Sequence, residues 1–183
     1  HLRAEVVDRI PGALPFWWET PPEKPPAGLK IAVGHDSRIS ADRISAALCR
    51  AFTPCGVQVL DCGLASTPSM FMATLELPCD CAVQITASHH PFFRNGLKFF
   101  TPAGGLDSPD ISEILAYAEA GEAPSPAAGG SVTPTDYMTR YAANLREMIK
   151  DGVAAPDRDH PLQGFKIVVD AGNGAGGFYA TEV

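Results

Sequence analysis

Three short apolar runs, at residues 29–33, 57–60 and 79–85, constrain the fold of this chain more than any other feature. Stretches with helical spacing separate them, so the order is strand, helix, strand, helix, strand. This order predicts an α/β fold with a parallel sheet and crossover helices. In such sheets ligands bind beyond the carboxyl ends of strands. The loops at 34–40 and 86–91 follow two of these strands and are therefore candidate binding loops.

Both intervening helices carry start signals. Ser40 is expected to cap the first helix, which the Thr-Pro-Cys-Gly sequence at 53–56 should end. Thr67 and Pro68 are a typical cap and first-turn pair for the second helix. The apolar residues of the first helix fall on one stripe, as expected for a helix that covers a sheet: Ile44, Ala47, Leu48, Ala51 and Phe52.

The second half of the chain continues the alternation. A short strand is predicted at 97–100, and Ser-Pro-Asp at 108–110 should open a helix. Residues 121–131 are rich in Pro, Gly and Ala and indicate a linker. A helix is then predicted at 136–150, and an apolar strand at 165–170 precedes a glycine cluster.

The N-terminal part is less regular. Leu2, Val6, Val7 and Ile10 have the spacing of the tail of a helix. The proline-rich stretch at 11–26 predicts a surface loop anchored by its two tryptophans, since proline is poorly tolerated inside helices and central strands.

Composition limits the partners. The chain has 183 residues, a formal net charge of −7 and no basic patch, which argues against nucleic acid as a partner. A small phosphorylated metabolite remains compatible, because a few cations and backbone amides can hold it. No apolar run reaches the roughly 18 residues that indicate a membrane span, so no membrane partner is expected. Five cysteines without a secreted-scaffold spacing favour a reduced intracellular compartment, cytoplasm or plastid.

Residues 86–98 carry the strongest chemical signal: Thr-Ala-Ser-His-His-Pro-Phe-Phe-Arg-Asn-Gly-Leu-Lys. Ser88 and His89 stand side by side directly after an apolar strand, and Lys98 follows an Asn-Gly turn. A serine hydroxyl is a poor nucleophile unless a base takes its proton or it already carries a phosphate. The structural alternative is that Thr86 and Ser88 only hydrogen-bond a turn.

This stretch closely resembles the phosphoserine loop of the α-D-phosphohexomutases, the phosphoglucomutase and phosphomannomutase superfamily. The resemblance implies that Ser88 carries phosphate, that Lys98 is the general acid or base, and that His89 contacts the phosphate or the sugar. Asn95 would bind substrate phosphate, and Mg²⁺ would bind through the phosphate on Ser88. The implied reaction interconverts hexose 1-phosphate and hexose 6-phosphate, with the hexose 1,6-bisphosphate as intermediate and activator. His90 stands where the family usually has Asn.

A second segment, Gly-His-Asp-Ser-Arg ending at Arg38, resembles the family's Gly-Arg-Asp-x-Arg segment, with His35 in place of the first Arg. The resemblance implies that Arg38 holds phosphate or orders the serine loop. The structural alternative is an ion pair of Arg38 with Asp36 or Asp42.

The resemblance also implies a domain organisation. Residues 1–150 would form a three-layer α/β/α domain with a mostly parallel mixed sheet. Residues 151–163 would be a linker, and 164–183 would begin a second α/β domain. The sequence is expected to be a piece of a longer enzyme, without the family's Asp-rich metal loop and sugar-reading domain, and therefore inactive alone. Neither the hexose nor the oligomeric state can be inferred from it.

Three other readings compete with the mutase hypothesis. The glycines at 172–177 match the Gly-x-Gly-x-x-Gly spacing of dinucleotide sites, although they also resemble the opening of the family's second domain. His35 and His90 are compatible with a degenerate, non-catalytic sugar-phosphate-binding relative. A metal site is the third reading, and its ligands would be Cys79, Cys81, His89 and His90.

Overall fold

A computed structural model describes residues 9–19, 27–121, 125–172 and 174–183. Within these residues the helices are α1 (Ile10–Glu19), α2 (Ala41–Phe52), α3 (Thr67–Glu76), α4 (Ser108–Ala120), α5 (Tyr137–Val153) and α6 (Tyr179–Glu182). A 3₁₀ turn covers Ala175–Phe178. The strands are β1 (Lys30–His35), β2 (Gln58–Leu64), β3 (Cys81–Ile85), β4 (Leu97–Thr101), β5 (Gly104–Gly105) and β6 (Ser131–Pro134).

The strands form one mixed sheet in the order β5-β4-β3-β1-β2-β6. β1 runs parallel to both β2 and β3, and β6 runs parallel to β2. β4 and β5 are antiparallel additions at one edge. The predicted α/β fold with a mostly parallel mixed sheet is therefore confirmed.

The sheet is covered on both faces, which gives the three expected layers. Alternate residues of a strand point to opposite faces. Ile31 and Val33 of β1 accordingly pack in a cluster with α1, α2 and α4. Ala32 packs in a second cluster with Met70 of α3 and Tyr137 of α5. None of the helices in the described ranges is long and apolar enough to cross a membrane.

The predicted loop at 11–26 is wrong over its first half, where α1 forms. Pro11 lies in the first turn, where a helix needs no N–H donor, and Pro15 lies inside the helix. Leu14 is only 2% exposed, and burying such a side chain stabilises by about 2 kcal/mol, which offsets much of the proline penalty. Trp17 Nε1 donates to Glu113 of α4 at 3.0 Å, in keeping with the expected aromatic anchor. Residues 1–8 and 20–26, and the side chain of Trp18, lie outside the described residues.

Two helix caps also differ from the expectation. Ser40 occupies the N-cap position of α2 but makes no capping bond, since its backbone, with φ of −102° and ψ of 3°, lacks the extended conformation typical of a cap; its hydroxyl donates to Asn95 Oδ1 at 2.6 Å. Ser66, not Thr67, caps α3, through a reciprocal capping box with Ser69.

One strand was not predicted. β6 pairs in parallel with β2, directly after the predicted linker. All four of its residues are exposed, so it has no apolar pattern, and Pro134 is tolerated because this is an edge strand. The predicted helix at 136–150 is confirmed as α5, which continues to Val153.

The strand predicted at 165–170 does not form. The segment finds no neighbouring strand in the part of the chain that the structure describes, and its apolar side chains are exposed, Val168 to 93%. The 3₁₀ turn follows it, so the strand–turn–helix context of a dinucleotide site is not formed here. The domain boundary at 151–163 stays a prediction.

Candidate active site

Two loops meet at the carboxyl edge of the sheet, as predicted. The β1 loop (residues 36–40) follows β1, and the serine loop (residues 86–96) joins β3 to β4. β1 and β3 are parallel neighbours whose last paired residues are His35 and Ile85. The N–H of Asp36 then donates to the Ile85 carbonyl at 3.1 Å, which holds the β1 loop against the start of the serine loop.

Ser88 is exposed and has a left-handed backbone, with φ of 54°. Few residues other than glycine adopt this conformation, and such strain is concentrated at functional sites. The Ser88 N–H donates to Thr86 Oγ1 at 3.1 Å. Its hydroxyl lies 3.3 Å from Nδ1 of His89, within reach of a weak hydrogen bond. The geometry thus presents a serine hydroxyl and an imidazole to solvent together.

Arg38 orders the serine loop through hydrogen bonds from its side chain. It is only 8% exposed. Its guanidinium donates to the carbonyls of Ser88 at 2.6 Å, Pro91 at 2.7 Å, Arg94 at 3.0 Å and His90 at 3.1 Å. Of the interpretations left open by the sequence, loop ordering is therefore observed, and direct phosphate contact stays a prediction.

The predicted ion pair of Arg38 is also formed, with Asp36 rather than Asp42. Arg38 Nε lies 3.0 Å from Asp36 Oδ2, while Asp42 is exposed on α2. Asp36 Oδ1 additionally accepts from the Arg38 N–H at 3.2 Å. Thr86 donates its hydroxyl proton to Asp36 Oδ2 at 2.7 Å. Each carboxylate oxygen is thus occupied by structural hydrogen bonds.

Asp36 and Thr86 were named from the sequence only as structural alternatives, the ion pair with Arg38 and a hydrogen bond within the turn, and both of these contacts form. Both fall within motifs that the sequence does single out, but their mutual contact joins residues 50 positions apart. The available signal was the position of each at the carboxyl end of neighbouring parallel strands, where side chains meet.

Lys98 and Asn95 lie on the outgoing side of the serine loop. Lys98 pairs with Gln84 across β3 and β4, so it lies at the same edge of the sheet as the loop. Its side chain is exposed, and the ammonium has no hydrogen-bond or ion-pair partner among the described residues. Asn95 is also exposed, and its Oδ1 accepts from Ser40. Its amide nitrogen makes only a long contact of 3.4 Å to the Phe93 carbonyl, which leaves donor capacity for a ligand.

The serine loop is locally basic in an acidic protein. Residues 81–106 contain no Asp or Glu, whereas Arg94, Lys98 and two histidines fall among them. The whole chain has a net charge of −7. This local asymmetry favours an anionic ligand at the loop and was a further signal available in the sequence.

His90, the departure from the family pattern, is accommodated in the loop. Its N–H donates to the Ala87 carbonyl at 3.0 Å, and its carbonyl accepts from Arg38. Its ring stacks on that of His89, with centroids 5.2 Å apart. The turn that Asn would favour is therefore closed by backbone hydrogen bonds.

The residues described here do not make up a complete magnesium site. Mg²⁺ requires near-octahedral oxygen ligation, and a phosphate on Ser88 would supply only part of it. The Asp36 carboxylate is already engaged, and the described ranges contain no group of three or more His, Cys, Asp or Glu side chains placed to hold a metal. The same observation argues against the alternative reading of a metal site built from Cys79, Cys81, His89 and His90. Burial raises the pKa of the Cys79 thiol to about 11, which keeps it protonated and a poor ligand at neutral pH.

Comparisons with known proteins show the family of this chain. The family model described as phosphoglucomutase/phosphomannomutase, alpha/beta/alpha domain I, matches residues 20–125. The phosphoglucosamine mutase of Corynebacterium jeikeium is 35% identical over 157 residues, covering 82% of this chain and 33% of the relative. That of Bifidobacterium adolescentis is 36% identical over 158 residues, covering 84% of this chain and 34% of the relative.

A solved structure shows the same fold. A phosphoglucomutase/phosphomannomutase family protein from Burkholderia thailandensis superposes with a TM-score of 0.64 at 23% identity, covering 82% of this chain and 32% of that one. The chain thus spans about a third of the length of the proteins it matches. Because the family model covers more than half of its residues, the chain belongs to the phosphoglucomutase/phosphomannomutase family.

Proposed function

We propose that the whole protein is a phosphohexomutase that interconverts the 1-phosphate and 6-phosphate of a hexose through phosphorylated Ser88. The observation that carries the proposal is the exposed, left-handed Ser88 on a loop fixed by Arg38. The hydroxyl has an imidazole beside it and lies in an acid-free, locally basic segment. The names of the relatives point to glucosamine phosphate as the hexose phosphate.

In the proposed reaction, the phosphorus–oxygen bond to Ser88 Oγ breaks as a bond to a sugar hydroxyl oxygen forms. Lys98 accepts the proton of that hydroxyl, and a bisphosphorylated sugar results. The second phosphate then returns to Ser88 from the other position of the sugar, and Lys98 gives the proton back to the departing oxygen. One phosphate leaves and one arrives, so the serine ends as it began.

The other predicted residues hold the phosphate during transfer. Nδ1 of His89 is within reach of Ser88 Oγ and would contact its phosphate oxygens. The amide nitrogen of Asn95, which makes only one long contact, would donate to a substrate phosphate. Arg38 acts mainly on the loop carbonyls, and any phosphate contact would use its remaining guanidinium hydrogen. Mg²⁺, which the family resemblance implies, would need ligands from elsewhere in the whole protein.

A non-catalytic sugar-phosphate-binding relative is the second candidate, favoured by His35 and His90 in place of the family's usual residues. Because the chain spans a third of its relatives, we propose that it is inactive by itself in either case.

Turnover and binding separate the two candidates. The whole protein would be given glucosamine 6-phosphate, Mg²⁺ and catalytic glucosamine 1,6-bisphosphate, and the formation of glucosamine 1-phosphate measured. We expect Ser88→Ala to lose at least about 10³-fold in kcat, since it removes the phosphate carrier. Ser125→Ala, which alters an exposed serine outside the site, is the matched control and should retain kcat. Substrate binding without any turnover by the unaltered protein would instead establish the non-catalytic relative.

A further inference from the structure

We propose that Asp36 and Thr86 are positioning residues that hold Ser88 in its left-handed conformation. Neither touches the Ser88 hydroxyl, and both act on its backbone. The conformational part of this proposal stands whatever the reaction, whereas its catalytic consequence rests on the proposed function.

Two ties, each a chain of hydrogen bonds, hold the backbone of Ser88. The first tie runs from the Ser88 N–H through Thr86 to Asp36. A hydroxyl has a single proton, and Thr86 donates it to Asp36 Oδ2 at 2.7 Å. The lone pairs of Thr86 Oγ1 are thereby left to accept from the Ser88 N–H at 3.1 Å. Asp36 thus sets the direction of both hydrogen bonds. Thr86 is only 6% exposed, so water has little access to replace its hydroxyl.

The second tie fixes the other side of Ser88. Its carbonyl accepts from Arg38 Nη2 at 2.6 Å, and Nε of the same guanidinium donates to Asp36 Oδ2. The two peptide groups that flank the Ser88 Cα are therefore both anchored to one Asp36–Arg38 pair. Anchoring both peptide groups restricts φ and ψ together, which a single hydrogen bond would not do.

This restraint is needed because serine does not favour φ of 54° on its own. The left-handed region brings Cβ close to the backbone, and only glycine enters it freely. Ser88 is exposed, so no packing of its side chain compensates for the strain. Without the ties we expect the residue to relax to negative φ and to turn its hydroxyl away from the position beside His89.

A thermal stability cycle tests the restraint without reference to activity. Ser88→Gly and Ser88→Ala would be made in the whole protein, each with Thr86 intact and with Thr86→Val. Glycine fits φ of 54° and alanine does not. The two residues also differ in the entropy of the unfolded chain, but this difference is equal with Thr86 and with Thr86→Val, so it cancels when the two backgrounds are compared. We expect the Tm of the Gly variant, relative to the Ala variant, to be higher by about 3 °C with Thr86 intact than with Thr86→Val.

Two further variants complete the cycle. Thr86→Ser keeps the hydroxyl and should preserve the full difference in Tm. If Thr86→Val does not fold, Thr86→Cys replaces the hydroxyl by a thiol, which is a weak donor and a weak acceptor, and it should reduce the difference. An equal Gly–Ala difference in the intact and altered backgrounds would overturn the proposal.

The catalytic consequence is measured on the same proteins as the rate of phosphate transfer from glucosamine 1,6-bisphosphate to Ser88. We expect Thr86→Val to slow the transfer at least about tenfold while the Kd for the bisphosphate changes less than about threefold, because the hydroxyl is displaced but the binding groups remain. Thr86→Ser should restore most of the rate. Transfer at the unaltered rate in Thr86→Val would refute the positioning role. If the unaltered protein takes up no phosphate, the proposed function fails, and the Tm cycle still decides the conformational proposal.

Discussion

Replacement of Arg38 by methionine should destabilise the protein and release the serine loop. Methionine keeps most of the aliphatic volume but removes the charge and the donors to four carbonyls. Breaking a buried ion pair costs about 3–5 kcal/mol when the remaining charge stays buried. Here the Asp36 side chain is 23% exposed, and the loop carbonyls regain water once the loop opens. We therefore expect a loss of about 2–3 kcal/mol in the free energy of unfolding, below that range.

Urea denaturation and amide hydrogen exchange measure the two effects. Arg43→Met, an exposed position on α2, is the matched control and should stay within about 0.5 kcal/mol of the unaltered protein. In Arg38→Met, the loop amides that donate within the serine loop, those of Ser88, His90 and Arg94, should lose protection while β3 keeps it. Arg38→Lys should lose most of the same protection, since one ammonium cannot reproduce the planar set of donors of a guanidinium. A loss no larger than that of Arg43→Met, or unchanged loop exchange, would refute the assignment of Arg38 as the loop anchor.

Two predictions concern packing and pH. A Cβ at position 96 would lie 2.8 Å from the Thr86 carbonyl oxygen, so Gly96→Ala should lower the free energy of unfolding, measured by urea denaturation, by about 1–3 kcal/mol. A Cβ at position 152 would meet nothing within 4 Å, so Gly152→Ala should raise it by about 0.5 kcal/mol. Equal effects of the two alanines would contradict this packing. Burial raises the pKa of Cys62 to about 12, so between pH 9 and 12 the unfolded chain releases a proton that the folded chain retains, and stability should fall by up to about 1.4 kcal/mol per pH unit as pH rises. Urea denaturation from pH 8 to 10 should show a shallower fall for Cys62→Ala, and an identical slope would exclude Cys62 as the cause.

The strands that were predictable from the sequence are those that are buried on both faces of the sheet. The central strands β1 and β3 are covered by helices on both faces, so they appear in the sequence as mostly apolar runs bounded by turns. β6 escaped prediction because an exposed edge strand needs no apolar residues. The segment at 165–170 is the opposite case of an apolar pattern without a strand. Its composition favours a strand, but pairing requires a partner strand that the described residues do not supply.

The motifs of the candidate site were visible in the sequence, but the hydrogen bonds that connect them were not. Ser88 and Lys98 belong to one short motif, singled out by its resemblance to the phosphoserine loop of the family. Arg38 was expected at the site, but its choice among loop carbonyls, carboxylate and phosphate depends on tertiary distances. The roles of Asp36 and Thr86 depend on a hydrogen bond between the loops that follow two neighbouring parallel strands, and its partners lie 50 positions apart in the sequence.

The account rests on phosphate being carried by Ser88, and phosphopeptide mass spectrometry of the whole protein tests this most directly. The protein would be incubated with Mg²⁺ and glucosamine 1,6-bisphosphate, with Ser88→Ala treated in parallel. We predict one phosphate on Ser88 in the unaltered protein and none on the corresponding peptide of the variant. An unmodified Ser88 in a well-covered peptide, or a phosphate located on another residue, would contradict the proposed function.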